Sequence, residues 1–200
     1  RPPRPEYRVP RPERGVPRPG RRRYGVAVPA YPPMPSRLET ARLTLRPWSG
    51  SDAEGHSALV AERGDGPLPV GRSREIIATL LAAAASTGIA LLPVDRRDTG
   101  AFIGYCGLLV GRACLDEPEI AYELFRSAHG YGYATEAASA VLAAASTTGR
   151  GRVWATVRTW NAPSFRVLEK LGFERDHVSA DDRGELVWLT RALPRARRSD

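Results

Sequence analysis

Lysine is almost missing from this chain: of 30 basic residues, only Lys170 is not arginine. Cysteine is scarce too, with Cys106 and Cys114 alone in 200 residues. That rules out a disulfide-dense secreted scaffold and suits a reducing compartment, so a cytoplasmic location is expected. The three histidines, His56, His129 and His177, show no metal-ligand spacing, and no metal site is expected. No charged segment followed by a short apolar core and a cleavage site marks a signal peptide. The uncharged run at 76–94 is nearly long enough to cross a bilayer, but Ser86-Thr87-Gly88 breaks it and Pro93 closes it. It predicts a helix, a turn and a buried strand, with no membrane as partner.

The charge that is present is unevenly placed. The chain is formally +8, yet residues 1–36 carry +7 and residues 191–200 carry +3, leaving −2 for 37–190. The basic pI therefore describes the ends. Residues 1–36 are rich in Pro and Arg and poor in large aliphatics, so they are expected to be a disordered tail with polyproline II character. Such a tail is suited by charge to nucleic acid or the ribosome, or is a silent solvated extension; its three tyrosines are too sparse to decide. One domain is expected over 37–193, followed by a short basic tail at 194–200.

Within that domain the pattern alternates between strand and helix signals. Leu43 and Leu45 place a first strand at 38–47, and Ser51-Asp52 opens a helix reaching 62. A second helix spans 73–85, followed by strands at 89–94, 101–111 and 119–125. A helix from Tyr133 to Ser146, a fifth strand at 152–158, a helix at 161–171 and strands at 174–178 and 185–190 complete it. This is an α/β domain with a mixed sheet. The helix at 133–146 crosses over between the fourth and fifth strands and makes that pair parallel.

The stretch His129-Gly130-Tyr131-Gly132-Tyr133-Ala134-Thr135-Glu136 joins the fourth strand to its helix. Two glycines permit close approach and positive φ, and the first-turn N–H groups of the helix point outward without partners. That is an anion site. A dinucleotide fingerprint is disfavoured, because Thr135 occupies its third glycine position and no acidic residue occurs between Glu136 and Glu169. No Gly-Lys-Ser/Thr follows, which excludes a P-loop.

A second stretch, Asn161-Ala162-Pro163-Ser164-Phe165-Arg166-Val167-Leu168-Glu169-Lys170-Leu171-Gly172-Phe173, follows the fifth strand. Taken with the segments at 38–46, 119–122 and 130–137, in order and spacing, it resembles the GNAT acyltransferase superfamily, and most closely the branch that acetylates ribosomal protein N-termini. The likeness covers 37–193. It implies a mixed, mostly antiparallel central sheet flanked by helices, whose fourth and fifth strands are parallel and splay apart at a bulge. It implies acetyl-CoA as co-substrate, with the pyrophosphate on the N–H groups of Gly130, Tyr131, Gly132, Tyr133 and Ala134. The pantetheine arm would pair with the fourth strand near Leu124 and Phe125, and Asn161 would lie beside it. The family passes the acetyl group directly to an amine.

Such a reaction needs a neutral amine, a donor for the developing oxyanion and a proton for the leaving thiolate. Glu119 is the candidate base, with Glu123 as runner-up on the same strand face if no bulge intervenes. Many relatives place a tyrosine acid where this chain has Leu168; the branch named above has a serine where Ser164 stands, making Ser164 the candidate donor. Asn161 ahead of Ala162 and Pro163 is also a good N-cap. Two loop positions depart from the family: Ser127 replaces Gln or Arg, and Tyr131 replaces a common Lys or Arg. The implied function is acetyl transfer from acetyl-CoA to a primary amine, on a protein N-terminus or a small molecule. The alternative is a catalytically weak CoA-binding or regulatory module with a basic interaction tail.

Overall fold

The computed structural model describes residues 31–64 and 66–194. The tail expected at 1–30 and the basic end at 195–200 lie outside those residues. Among the described residues, eight strands form one sheet: β1 (Leu38–Glu39), β2 (Leu43–Leu45), β3 (Leu91–Arg96), β4 (Phe102–Leu109), β5 (Glu119–Leu124), β6 (Arg152–Arg158), β7 (Glu174–Asp181) and β8 (Gly184–Ala192). Their order across the sheet is β1-β2-β3-β4-β5-β6-β8-β7. Four α-helices accompany them: α1 (Ala53–Ala61), α2 (Val70–Thr87), α3 (Tyr133–Ser146) and α4 (Ala162–Lys170).

The expected first strand is two strands. Thr40 turns the chain: its N–H donates to Leu43 C=O at 2.9 Å and its Oγ1 accepts from Leu43 N–H at 2.9 Å. A side chain closing its own turn competes with the ladder and folds 38–45 into a hairpin. The parallel pair is therefore β5 and β6, the fifth and sixth strands of the sheet, where the fourth and fifth were expected. Residues 31–36, assigned to the tail from sequence, partly join the domain. Met34 is buried in the main core and its N–H donates to Gly88 C=O at 2.8 Å.

The main core lies between the sheet and the helices α3 and α4. Ala137, Ala138, Ala144 and Ala145 of α3 are buried, and side chains this small bring the helix axis close to the strands. A smaller cluster of Trp48, Ala53 and Ile77, with Phe102 and Tyr105, lies beneath α1 and α2 on the opposite face. Strand β4 is thus covered on both faces. It also carries Gly104 and Gly107, where a Cβ would overlap the backbone C=O of Glu123 and of Ala90 respectively.

Strand β5 pairs with β4 over six residues, from Gly104↔Leu124 to Leu109↔Glu119, without a register shift. Strand β6 pairs with β8 over seven, from Arg152↔Ala192 to Arg158↔Leu186. Between β5 and β6 only Glu119↔Trp154 pairs, with Trp154 N–H donating to Pro118 C=O at 2.8 Å. The expected bulge is absent from the β4–β5 ladder. Each strand follows its outer partner, and the two separate beyond Glu119.

Candidate active site

The separation leaves a cleft of about 300 Å³ between β5 and β6. Glu119, Ala121 and Glu123 alternate onto the α1 face of β5, and Ile120, Tyr122 and Leu124 onto the α3 and α4 face. Residues of both sets line the cleft, with Ala155, Thr156, Val157 and Arg158 of β6 opposite. Asn161, Ser164 and Leu168 of α4 close one side.

Glu119 is buried at the narrow end, where β5 and β6 still touch. Its Oε1 accepts from the Thr156 hydroxyl and its Oε2 from Arg112 N–H at 3.0 Å. A carboxylate offers about four lone-pair directions, so a water or an amine still finds an acceptor there. Glu123 shares the face, as the unshifted ladder requires, but its carboxylate is held by Arg63, with Nε at 2.7 Å, and by the Tyr105 hydroxyl at 2.9 Å. It does not line the cleft.

On the α1 face the rim is a bridge of charges. Asp181 accepts from Arg158 at 2.8 Å, Arg112 at 3.1 Å and Arg183 N–H at 2.9 Å. The Arg158 guanidinium first, then the Arg183 N–H, hold its carboxyl well below the usual range. The β7–β8 hairpin is thereby tied across the opening to the loop after β4.

At the wide end, residues 126–128 make a 3₁₀ turn that leads into the glycine loop. Gly130 and Gly132 have φ of 84° and 82°, the left-handed region that favours glycine. A Cβ on Gly130 would meet nothing within 4 Å, so the space above the loop is open. Gly132 is the N-cap of α3 and provides no side-chain cap, which leaves the first-turn N–H groups to a ligand. These features fit a pyrophosphate.

The loop is pinned from behind by the β1–β2 hairpin. Arg42 Nη1 donates to Tyr131 C=O at 3.0 Å, and its guanidinium pairs with Glu136 at 2.6 Å. Arg42 N–H and the Thr40 hydroxyl also bond Glu136, at 2.9 and 2.6 Å. Burial pushes the Glu136 carboxyl up, but those donors outweigh it and hold it below its usual value. Tyr131, exposed, stacks on Tyr133 with ring centroids 5.7 Å apart, and Arg42 lies 4.7 Å over the Tyr133 ring.

Beside the loop, His129 Nε2 donates to Leu124 C=O at 3.0 Å. Phe125 N–H donates to Ile103 C=O and Phe125 C=O accepts from Ala128 N–H, both at 2.9 Å. Backbone alternation then turns the Leu124 N–H toward the gap. Asn161 caps α4, its Oδ1 accepting from Ser164 N–H at 3.3 Å. Leu168 is fully buried. The Tyr122 hydroxyl donates to Ser164 C=O at 3.3 Å and lines the cleft.

The structure thus brings Glu119, Asn161 and Ser164 to one cleft and sets the glycine loop at the wide end. Sequence reasoning assigned no role to Tyr122, Thr156, Arg42, Arg112 or Arg158. Tyr122 and Arg42 stand inside the stretches that carried the resemblance, but their parts depend on groups far away in the chain.

A sheet opened between two parallel strands, with an anion cradle at its wide end and a carboxylate and hydroxyls inside, has the layout of an acyl-group transferase. The family model described as the acetyltransferase (GNAT) domain matches residues 42–174, more than half of the chain, and the protein belongs to that family of acetyltransferases. No curated protein matches the chain in sequence. Solved structures are similar to it. A Bordetella pertussis protein described as a GNAT-family acetyltransferase is 26% identical, with a TM-score of 0.70 over 78% of this chain and 99% of that one. An acetyltransferase from Agrobacterium tumefaciens is 27% identical, with a TM-score of 0.66 over 86% and 99%. RimL, a ribosomal L7/L12 α-N-protein acetyltransferase solved with coenzyme A, shares the fold at 14% identity and a TM-score of 0.69, over 78% and 98%. Among the described residues no helix is long and apolar enough to cross a membrane.

Proposed function

We propose that this acetyltransferase moves an acetyl group from acetyl-CoA to a primary amine, on a protein N-terminus or a small molecule. The observation that carries the reading is the cleft between the parting strands, with residues of both faces in its lining and the glycine loop following the end of β5. A donor entering on the α3 and α4 face and an acceptor on the α1 face would meet inside it. The N–H groups of Gly130, Tyr131, Gly132, Tyr133 and Ala134 hold the pyrophosphate. The Leu124 N–H pairs with the pantetheine arm, Phe125 holds the strand end in place, and Asn161 presents the start of α4 to the arm.

Glu119 acts as base, directly or through one water, and accepts the proton that the attacking amine gives up. Thr156 and Arg112 N–H fix its carboxylate at the point where β5 and β6 part. Ser164, which lines the cleft, hydrogen-bonds the reacting thioester. Desolvation of the gap strengthens each of these interactions relative to water. RimL and the yncA acetyltransferase of Salmonella typhimurium were solved with coenzyme A and acetyl-CoA respectively, which supports the choice of donor.

A thiol-release assay with acetyl-CoA tests this reading, over peptides beginning with Ser, Ala or Met and a set of polyamines and aminoglycosides. Turnover of at least one amine is expected. Tight coenzyme A binding with no turnover of any would instead support a CoA-binding regulatory module, which the buried Leu168 and the uncharged Tyr131 would suit.

A further inference from the structure

The leaving sulfur needs a proton, and α4 has no phenol to give it. Leu168 is aliphatic and fully buried, and the Ser164 hydroxyl is an alcohol, far less ready than a phenol to release its proton. A phenol does reach the cleft, from the other wall. Tyr122 of β5 directs its side chain to the α4 face, lines the gap with Asn161 and Ser164, and ends 3.3 Å from Ser164 C=O. That contact is long for an O–H···O bond and goes to a carbonyl inside a helix, so it orients the hydroxyl at small cost to break.

We infer that Tyr122 is the catalytic acid of this enzyme, delivering the proton to the sulfur of coenzyme A from β5 in place of an α4 side chain. The inference rests on the acetyl-transfer reading above. In the step, the amine nitrogen forms the new C–N bond with its lone pair and loses a proton to Glu119 or its water. The C–S bond breaks with its electron pair on sulfur, and sulfur takes the phenolic proton. The products are the amide and the CoA thiol, and Tyr122 and Glu119 return to their starting states by exchanging one proton each with solvent.

The chemistry of the wall suits this role. Burial pushes the Tyr122 phenol above its usual value, opposed by the bond to Ser164 and reinforced by Cys106, so it stays protonated until an anion forms beside it. Burial also raises the affinity of a thiolate for a proton. Burial likewise pushes up the thiol of Cys106, directly opposite Tyr122 on β4. A thiolate expelled into the gap is desolvated as well, and it forms beside the phenol that can protonate it.

The test compares acetyl-CoA with its selenoester analogue, whose selenolate leaves without needing a proton. The acceptor is the Ser-initiated peptide or, if that is not used, the best amine of the panel. Tyr122→Phe should lower kcat with acetyl-CoA about 100-fold, keep coenzyme A affinity by calorimetry within about threefold, and regain nearly wild-type turnover with the selenoester. An equal loss with both donors, no loss, or a loss that follows coenzyme A affinity would overturn the inference. The wild-type chain gives an independent readout: a solvent deuterium isotope effect larger on the thioester reaction than on the selenoester reaction, where only the amine's proton is transferred. The same effect on both donors contradicts Tyr122 as acid even if the variant does not fold. A wild-type chain that binds coenzyme A but acetylates nothing defeats the acetyl-transfer reading itself.

Discussion

Strand β5 has two edges, and they are opposites. Along β4 it is laddered over six residues in unbroken register; along β6 it is joined at one pair and then left open. The closed edge packs Gly104 so tightly against Glu123 and Leu124 that no Cβ fits, while the open edge presents Leu124 N–H, Tyr122 and Glu119 to a cleft. A sheet normally satisfies every backbone group on both sides of a central strand. Here the unsatisfied side is next to the anion loop, and a ligand that pairs with β5 would complete it. The proposed function thus concentrates stability on one edge and chemistry on the other.

The comparison can be broken from the closed side first. Gly104→Ala places a Cβ against the backbone of Glu123 and Leu124 in β5. Backbone cannot rotate away as a side chain can, so a loss of about 4 kcal/mol or more is expected, read as failure to fold or a collapsed melting temperature. A mild loss would mean that the β4–β5 edge is more yielding than its geometry implies.

On the open side the largest effect belongs to Gly130→Asp. Its Cβ would enter empty space above the loop, at a φ that Asp tolerates for about 1 kcal/mol. It would put bulk and negative charge on the anion cradle, so calorimetry should find acetyl-CoA affinity reduced more than about 100-fold, with the fold intact. Next comes Glu119→Gln, which keeps acceptor oxygen for Thr156 or Arg112 but cannot take a proton. Turnover should fall about 100-fold while the melting temperature changes little; a large stability loss with modest kinetic loss would reverse the assignment of that edge.

The smallest effect concerns the pin behind the loop. Glu136 has its carboxyl held below the ordinary glutamate value of 4.5, so the stability it contributes is present above that pH and lost as pH falls through its folded value. Glu136→Gln should therefore melt a few degrees lower at pH 7, by roughly 2–4 °C. The difference should shrink as the pH drops below 4.5. A gap that stays constant down to pH 3 would show that the charge plays no part in holding Arg42 and the loop.

Much of this architecture was legible in sequence because it is local. Alternation located β3 to β8 within a few residues, and the Gly130 and Asn161 stretches carry their geometry in their own residue types. What escaped depends on long-range meeting. Arg42 finds Glu136 across 94 positions, and Tyr122 acquires its place only when α4 packs over β5. Thr40 broke the first strand through a side-chain bond that propensity does not register. Met34, a lone apolar residue among prolines, entered the core because Gly88 offered its carbonyl. The splay was expected at a bulge and arises instead from two strands following different neighbours, a property of the whole sheet.

The central claim is that the open edge of β5 and the loop beyond it receive acetyl-CoA. Amide chemical shifts of the ¹⁵N-labelled protein, followed while coenzyme A is titrated in, test it most directly. The largest changes are expected at Gly130, Tyr131, Gly132, Tyr133 and Ala134, with Leu124 shifting and the β3–β4 ladder still. Changes centred elsewhere, with the loop amides unmoved at saturation, would contradict the account.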